Sequence, residues 1–366
     1  MRILYDHQVF SLQNAGGASR YHYELMRYLA GVPEINTFLF LGVSGCVYPF
    51  EELPKDRTRV TRLGSALKPG MARYVLNEFL GNIWSAKDRF DIYHPTLYRS
   101  MPMGRATRLV VTHHDCVQER FPELFPNAQR IIKAKRRLFA QADAIICVSE
   151  SSRNDLIEFY AVDTAKTRVI HHGLSPLPRC AKSEAELRTL VSRPFLLYVG
   201  SRAPYKGFKC LLAAFSETGL YRSMDLLVLG GGVLTLSELA LAADLKVGKS
   251  IVSLPSVTDA LLGEAYAAAM LFVYPSLYEG FGFPPLEAMA AGCPVLVSNT
   301  SSLPEICRDA PFYFAPQDQS SFQASLLHAI DDQEARNKAA ARGKAVAAEY
   351  EWKTCGERTL ELYREC

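Results

Sequence analysis

Short apolar runs recur along this chain, each followed by a longer stretch of helical periodicity, and few architectures accommodate that rhythm. Runs of three to five residues fall at Ile3–Tyr5, Phe38–Leu41, Ile92–His94, Leu109–Thr112, Ala144–Val148 and Arg168–His171. Helical patterns such as Ser19–Leu29 and Asn127–Ala140 separate them. Strands joined by helical crossovers predict a parallel sheet with helices on both faces. The rhythm pauses across 173–193, where Pro176 and Pro178 interrupt and no apolar period is visible before Glu184. It then resumes at Phe195–Val199, Asp225–Leu229, Ile251–Ser253, Leu271–Tyr274, Val295–Ser298 and Phe312–Phe314. The expected organisation is therefore an α/β domain over 1–175, a linker over 176–193 and a second α/β domain over 194–345. A helical tail closes the chain over about 331–364. Two doubly wound domains joined by a linker predict a cleft between them, with ligands at the carboxyl ends of the strands.

Length and composition agree with two cores. The chain has 366 residues, 49% apolar and 22% charged, where a domain commonly takes about 150–200. No apolar run approaches the roughly 18 residues of a membrane span. The first residues carry no charged and apolar leader, so no signal peptide is expected. The nine cysteines are scattered without a Cys-x-x-Cys spacing. Buried thiols in a reducing cytoplasm are the expectation, rather than a metal or redox site. Charge is uneven: residues 1–180 hold 24 Lys and Arg against 17 Asp and Glu, while residues 181–366 hold 17 against 21. A basic half suits nucleic acid, an anionic membrane surface or an anionic substrate. No basic motif interleaved with aromatics is present, which argues against nucleic acid. The densest basic run, Lys133, Lys135, Arg136 and Arg137, reads as a solvated helix face or as a contact with lipid phosphates.

Between Tyr274 and Ser298 the chain carries chemistry. A strand ends near Tyr274, a loop holds Gly280, Phe281 and Gly282, and Pro284-Pro285 opens a helix. Gly292 ends that helix, Pro294 stops it, and Val295 starts the next strand. Glycines admit backbone N–H groups close to an anion, and a helix start adds partial positive charge, which suits a diphosphate. Glu279 lies in the loop and Glu287 in the expected first turn, where a carboxylate can accept both hydrogen bonds of a ribose diol. A closed turn and a dipole-complementing acid would fit the same residues. Upstream, Arg202 and Lys206 stand four apart after a strand, and together they could neutralise a diphosphate without Mg²⁺. Gly16-Gly17 follows the first strand and opens a helix that carries Arg20, either as a tight turn or as a phosphate-side loop. Thr112-His113-His114-Asp115 closes a strand, where a histidine can hydrogen-bond sugar hydroxyls.

The stretch from Pro275 to Val295 reads Pro-Ser-x-Tyr-Glu-Gly-Phe-Gly-x-Pro-x-x-Glu-Ala-Met-Ala-x-Gly-x-Pro-Val. It resembles the Glu-x7-Glu motif of the retaining glycosyltransferases of family 4, and Asn299–Glu305 continues the likeness. The resemblance implies the GT-B fold, two Rossmann-like domains facing across a cleft. It implies that Glu279 lies near the donor sugar, that Glu287 binds the nucleotide ribose, and that Lys206 and Arg202 meet the diphosphate. Arg202 departs from the family pattern by one place, Ser201 standing where the family has its arginine. Gly16 and Gly17 resemble the loop bordering donor phosphate and acceptor, and His114-Asp115 resembles the family's His-Asp pair. The tail, 346–366, resembles a helix that crosses back to the N-terminal domain. The implied reaction transfers a hexose from a nucleoside diphosphate sugar with retention, with no metal and no cofactor beyond the donor. Overall the chain resembles bacterial mannosyltransferases of surface polysaccharide synthesis, implying GDP-mannose, with a UDP-sugar as the alternative. A glycan or lipid-linked glycan is the implied acceptor, met by a cytoplasmic protein or one peripheral on the inner membrane face. A sugar-nucleotide epimerase of the same architecture and a non-catalytic nucleotide-sugar-binding subunit are the other classes.

Overall fold

Strands that are apolar throughout belong in a sheet covered on both faces. In the computed structural model this is where they lie: Ile145 and Ile146 of one sheet and Leu226, Leu227, Val228 and Leu229 of another are fully buried. The structure describes all residues except 66, 67, 69 and 99–102. It divides into two units, Met1–Gly173 with Glu351–Cys366, and Leu174–Tyr350.

The first unit holds a seven-stranded parallel sheet in the order β3-β2-β1-β4-β5-β6-β7. Its strands are β1 (Arg2–Tyr5), β2 (Asn36–Val43), β3 (Thr58–Gly64), β4 (Arg89–Tyr93), β5 (Arg105–His113), β6 (Ala144–Cys147) and β7 (Thr167–Val169). The edge strand β3 was not expected from sequence. It reads Thr-Arg-Val-Thr-Arg-Leu-Gly, and as an edge strand it shows charge to solvent instead of a continuous apolar run. The second unit holds a six-stranded parallel sheet in the order β10-β9-β8-β11-β12-β13. Its strands are β8 (Phe195–Val199), β9 (Asp225–Leu229), β10 (Ile251–Leu254), β11 (Leu271–Tyr274), β12 (Val295–Ser298) and β13 (Phe312–Phe314). Its core gathers side chains from both faces, including Leu196, Tyr198, Phe215, Val228 and Leu296.

Three expectations are corrected. The segment read as a linker contains the helix Ala181–Leu190, with Ser183 and Leu187 buried on one side. Arg179 beside it reaches Glu264 at 2.9 Å, so this stretch is packed into the second unit. Its few apolar residues, four apart and flanked by charge, gave little periodicity to read. The tail is two helices, Gln333–Ala347 and Trp352–Glu365, and only the second lies in the first unit. There the Tyr363 hydroxyl meets that of Tyr5 at 3.0 Å. Finally, the basic run at 133–137 does not form one cationic face. Lys135 is fully buried and donates to the Asp115 carbonyl, Gln118 and Glu119 at 2.9–3.1 Å, while Lys133, Arg136 and Arg137 stay outside. Among the described residues no helix is long and apolar enough to cross a membrane.

Candidate functional site

In the second sheet the winding reverses between β8 and β11, so the loops leaving their carboxyl ends part and leave a crevice. Lys206 comes from the loop after β8 and Glu279 from the loop after β11. The Lys206 ammonium donates to Glu279 Oε1 at 2.6 Å and to the Tyr274 hydroxyl at 3.3 Å. Both charged side chains are largely enclosed, at 16% and 12% exposure. Burial and the Glu279 carboxylate push the Tyr274 hydroxyl well above its ordinary pKa, so it stays a neutral partner.

Glycine chemistry brings these loops together. Gly207 has φ +71°, and a Cβ there would lie 2.1 Å from the Pro275 carbonyl oxygen. Only a residue without a side chain allows that approach. Next to it the Leu277 N–H donates to the Tyr205 carbonyl at 2.7 Å. The far side of the Glu279 loop is held by the turn after β12. The Glu279 N–H donates to Ser301 Oγ at 2.9 Å. The Ser302 hydroxyl reaches the carbonyls of Glu279 and Phe281 at 3.0 and 2.9 Å. Ser301 adopts φ +50° to do so, an uncommon conformation for a residue with a side chain.

Gly282 (φ +109°) precedes the helix Phe283–Ala291, whose start no side chain caps. Pro284 and Pro285 carry no N–H, so the Phe283 N–H and the helix dipole are what this start offers an anion. Glu287 is the fifth residue of this helix, one turn in, which corrects its expected place in the first turn. Tyr266 donates to Glu287 Oε2 at 3.3 Å and so orients the carboxylate. Phe281 is buried, its ring against Phe283 and Tyr350, and serves as the loop's anchor.

Arg202 is engaged by the neighbouring loop after β9. Its Nε donates to Glu238 at 2.9 Å, and its terminal nitrogens reach the carbonyls of Gly230, Gly231, Gly232 and Val233 at 2.7–3.3 Å. With its side chain 4% exposed, Arg202 clamps the glycine loop after β9. Three consecutive glycines at 230–232, whose carbonyls turn inward and need donors, were the sequence signal for this. Tyr274, Tyr266, Ser301 and Ser302 were likewise not singled out from sequence, since each acts through contacts distant along the chain.

In the first unit, Gly16 precedes the helix Gly17–Ala30 and its carbonyl accepts from Ser19 Oγ and the Tyr48 hydroxyl at 3.0 and 3.2 Å. The residues before it are held by Arg73, fully buried, which donates to the carbonyls of Ser11 and Phe10 and to Asn14 at 2.6–3.1 Å. His114 stands just past the end of β5. Its ring lies 5.7 Å from those of Tyr21 and His172 and 6.2 Å from that of His22. Burial lowers its pKa to about 4, with Asp115 opposing and Lys135 adding. Its Nε2 is enclosed without a hydrogen-bond partner. His113 instead packs edge-on against Phe139. His94, also missed from sequence, sits in the same cluster, bonded to Tyr363 and to Thr112.

Residues 15–176 match the family model described as Glycosyltransferase Family 4, and residues 182–346 match Glycosyl transferases group 1. The O-antigen chain mannosyltransferase B of Escherichia coli is 32% identical over 375 residues, covering 95% of this chain and 96% of that protein. Among solved structures, a sucrose-phosphate synthase from Thermosynechococcus elongatus superposes with a TM-score of 0.79 at 20% identity, over 100% of this chain and 98% of that one. Anabaena Alr3699/HepE, in complex with UDP and glucose, does so at 0.77 and 17%, over the whole of both chains. At these identities the superpositions establish the fold, two parallel-sheet Rossmann-like domains.

Proposed function

The chain belongs to the family 4, group 1 glycosyltransferases, and on that premise we propose that it transfers mannose from GDP-mannose, with retention, to a hydroxyl of a glycan or lipid-linked glycan. The contact of Lys206 with Glu279 beside an uncapped helix start is the observation that carries the donor site. The diphosphate lies against Lys206 and the helix start at Phe283. Glu287 accepts the ribose hydroxyls, and Glu279 holds the hexose while keeping Lys206 in place. Mannose is favoured by the name of the 32% identical relative.

In the proposed step the bond from C1 of the sugar to the β-phosphate oxygen breaks. The acceptor oxygen bonds C1 on the same face, and its proton passes to the departing diphosphate. Lys206 and the helix start receive the charge that develops there, a fixed positive field in an enclosed site. These groups supply what a divalent metal would otherwise supply, and the reaction is metal-independent on this reading. Arg202 acts as a positioning residue, fixing the loop after β9. His114 is neutral near pH 7 and hydrogen-bonds a sugar hydroxyl through Nε2.

A thermal-shift series with GDP, UDP and their sugar conjugates, followed by NMR of the product's anomeric proton, tests this reading. Stabilisation by GDP and GDP-mannose with an axial-to-axial product supports it. Stabilisation by UDP alone would replace GDP-mannose by a UDP-sugar, and an inverted product would remove the same-face step. Ring-carbon inversion of the free donor without transfer would instead identify an epimerase.

A further inference from the structure

The helix Met71–Ser85 is built inside out. Arg73, Asn77, Gly81 and Ser85, four residues apart, are buried. Met71, Val75, Phe79 and Ile83, also four apart, are exposed at 55%, 59%, 66% and 62%. With about 100° between successive residues, the outward sector also takes in Ala72 and Leu76, and Asn82 is its polar member. A surface helix ordinarily turns its apolar stripe to the core. Here the fully buried positions are held by polar bonds, with Leu80 and Trp84 packing against the core beside them. Arg73 donates to Ser11, Phe10 and Asn14. The Asn77 amide donates to Ser11 Oγ and the Val43 carbonyl, and it accepts from the Val43 N–H, all at 2.8–2.9 Å. Among the described residues, folding therefore accounts for the inner face and leaves these outer apolar side chains exposed.

Cations flank this helix along the chain and on the neighbouring strand β3. Arg59 and Arg62 on β3, Lys68 before the helix, and Lys87 and Arg89 after it are all exposed. The Arg59 guanidinium lies 5.5 Å from the Trp84 ring, tying β3 to the helix. The acids of this stretch are Glu78 and Asp88, and Asp88 pairs with Arg2 at 3.3 Å. An apolar stripe bordered by cations is the pattern of a helix lying in the interface of an anionic membrane. Pairing of two copies on this face would set the same cations against one another.

We propose that the Met71–Ser85 face docks the protein on an anionic phospholipid bilayer. Met71, Val75, Phe79 and Ile83 enter the interface, and Arg59, Arg62, Lys68, Lys87 and Arg89 meet lipid phosphates. Docking deepens the proposed use of a lipid-linked acceptor, and it places the contact on this helix instead of on the 133–137 run. Through Arg73 the docked helix also holds the chain leading to Gly16.

Cosedimentation of the full chain with vesicles of phosphatidylcholine mixed with phosphatidylglycerol, without donor or acceptor, tests the docking. Binding is expected, and weaker binding to phosphatidylcholine alone. The double substitution Phe79→Asp/Ile83→Asp lowers partitioning about tenfold or more. Lys68→Glu/Lys87→Glu/Arg89→Glu does the same on the anionic vesicles, with little change on neutral ones. All five positions are exposed, so the thermal midpoint and transfer to a water-soluble acceptor stay near wild type. Absence of vesicle binding, binding that both variants retain, or a dimer that the variants dissolve in sedimentation velocity would each overturn docking. Failure of soluble transfer with vesicle binding intact would instead count against the proposed reaction alone.

Discussion

Lys206 and Glu279 touch across two loops separated by seventy-odd residues of sequence, and the ion pair sets what each can do. Glu279 keeps the ammonium over the crevice, and Lys206 keeps a carboxylate there that would otherwise repel a diphosphate. Lys206→Ala is therefore expected to lower kcat by about 10²–10³, as loss of one preorganised donor does elsewhere. A Glu279→Gln/Lys206→Ala double variant is expected to lose less than the product of the single losses, because the pair acts as a unit. Steady-state kinetics on the three variants measures both. Arg202 behaves differently. A lysine cannot satisfy four carbonyls and a carboxylate, so Arg202→Lys is expected to cost about 1–3 kcal/mol of stability in a denaturant titration. Lys206, Glu279 and Glu287 were singled out from the motif and its family resemblance, and the structure brings Lys206 and Glu279 together. The role of Arg202 was not legible, because spacing says how far apart two cations lie in the chain and nothing about which carbonyls claim one of them.

The loops are set by the elements behind them. The close passage of Gly207 past Pro275 is what lets the β8 and β11 loops share one crevice. Gly207→Ala puts a Cβ where φ is +71° and backbone stands in the way, and is expected to destabilise the protein by more than about 1 kcal/mol. A shifted Lys206 should accompany it, read as a fall in kcat beyond the stability loss. Central strands such as β8 and β11, aliphatic or aromatic throughout, were legible because burial on both faces leaves no charged position. The edge strand β3, the helix Ala181–Leu190 and the helix Met71–Ser85 were harder. In each the apolar residues are sparse or point outward, so periodicity no longer reports the core.

At the scale of the molecule, the two α/β series were plain in the chain's rhythm, while the clustering of histidines was not. Seven of the eight histidines belong to the first unit. Burial holds His22, His113 and His172 well below the usual imidazole range, His94 at about 3 and His114 at about 4. Unfolding restores their ordinary affinity for protons. Between the unfolded value near 6.5 and the folded values, the unfolded chain binds more protons, so stability rises with pH across that window. The contribution is fully present above about 6.5 and is lost as pH falls toward 4. Hydrogen exchange at a series of pH values is expected to show amides of the first unit losing protection before those of the second. Those histidines come from the helix Gly17–Ala30 and from the ends of β4, β5 and β7, at distances along the chain that no local pattern spans.

The proposed transfer depends on what Lys206 does for the departing diphosphate. The most direct measurement is single-turnover transfer from GDP-mannose to a lipid-linked glycan acceptor, by the wild-type chain and by Lys206→Ala at matched folded concentration. The prediction is mannosylated product with GDP released by the wild type, and a rate about 10²–10³ lower for the variant. Equal rates for the two, or no turnover of any nucleoside diphosphate sugar by the wild type, would contradict it.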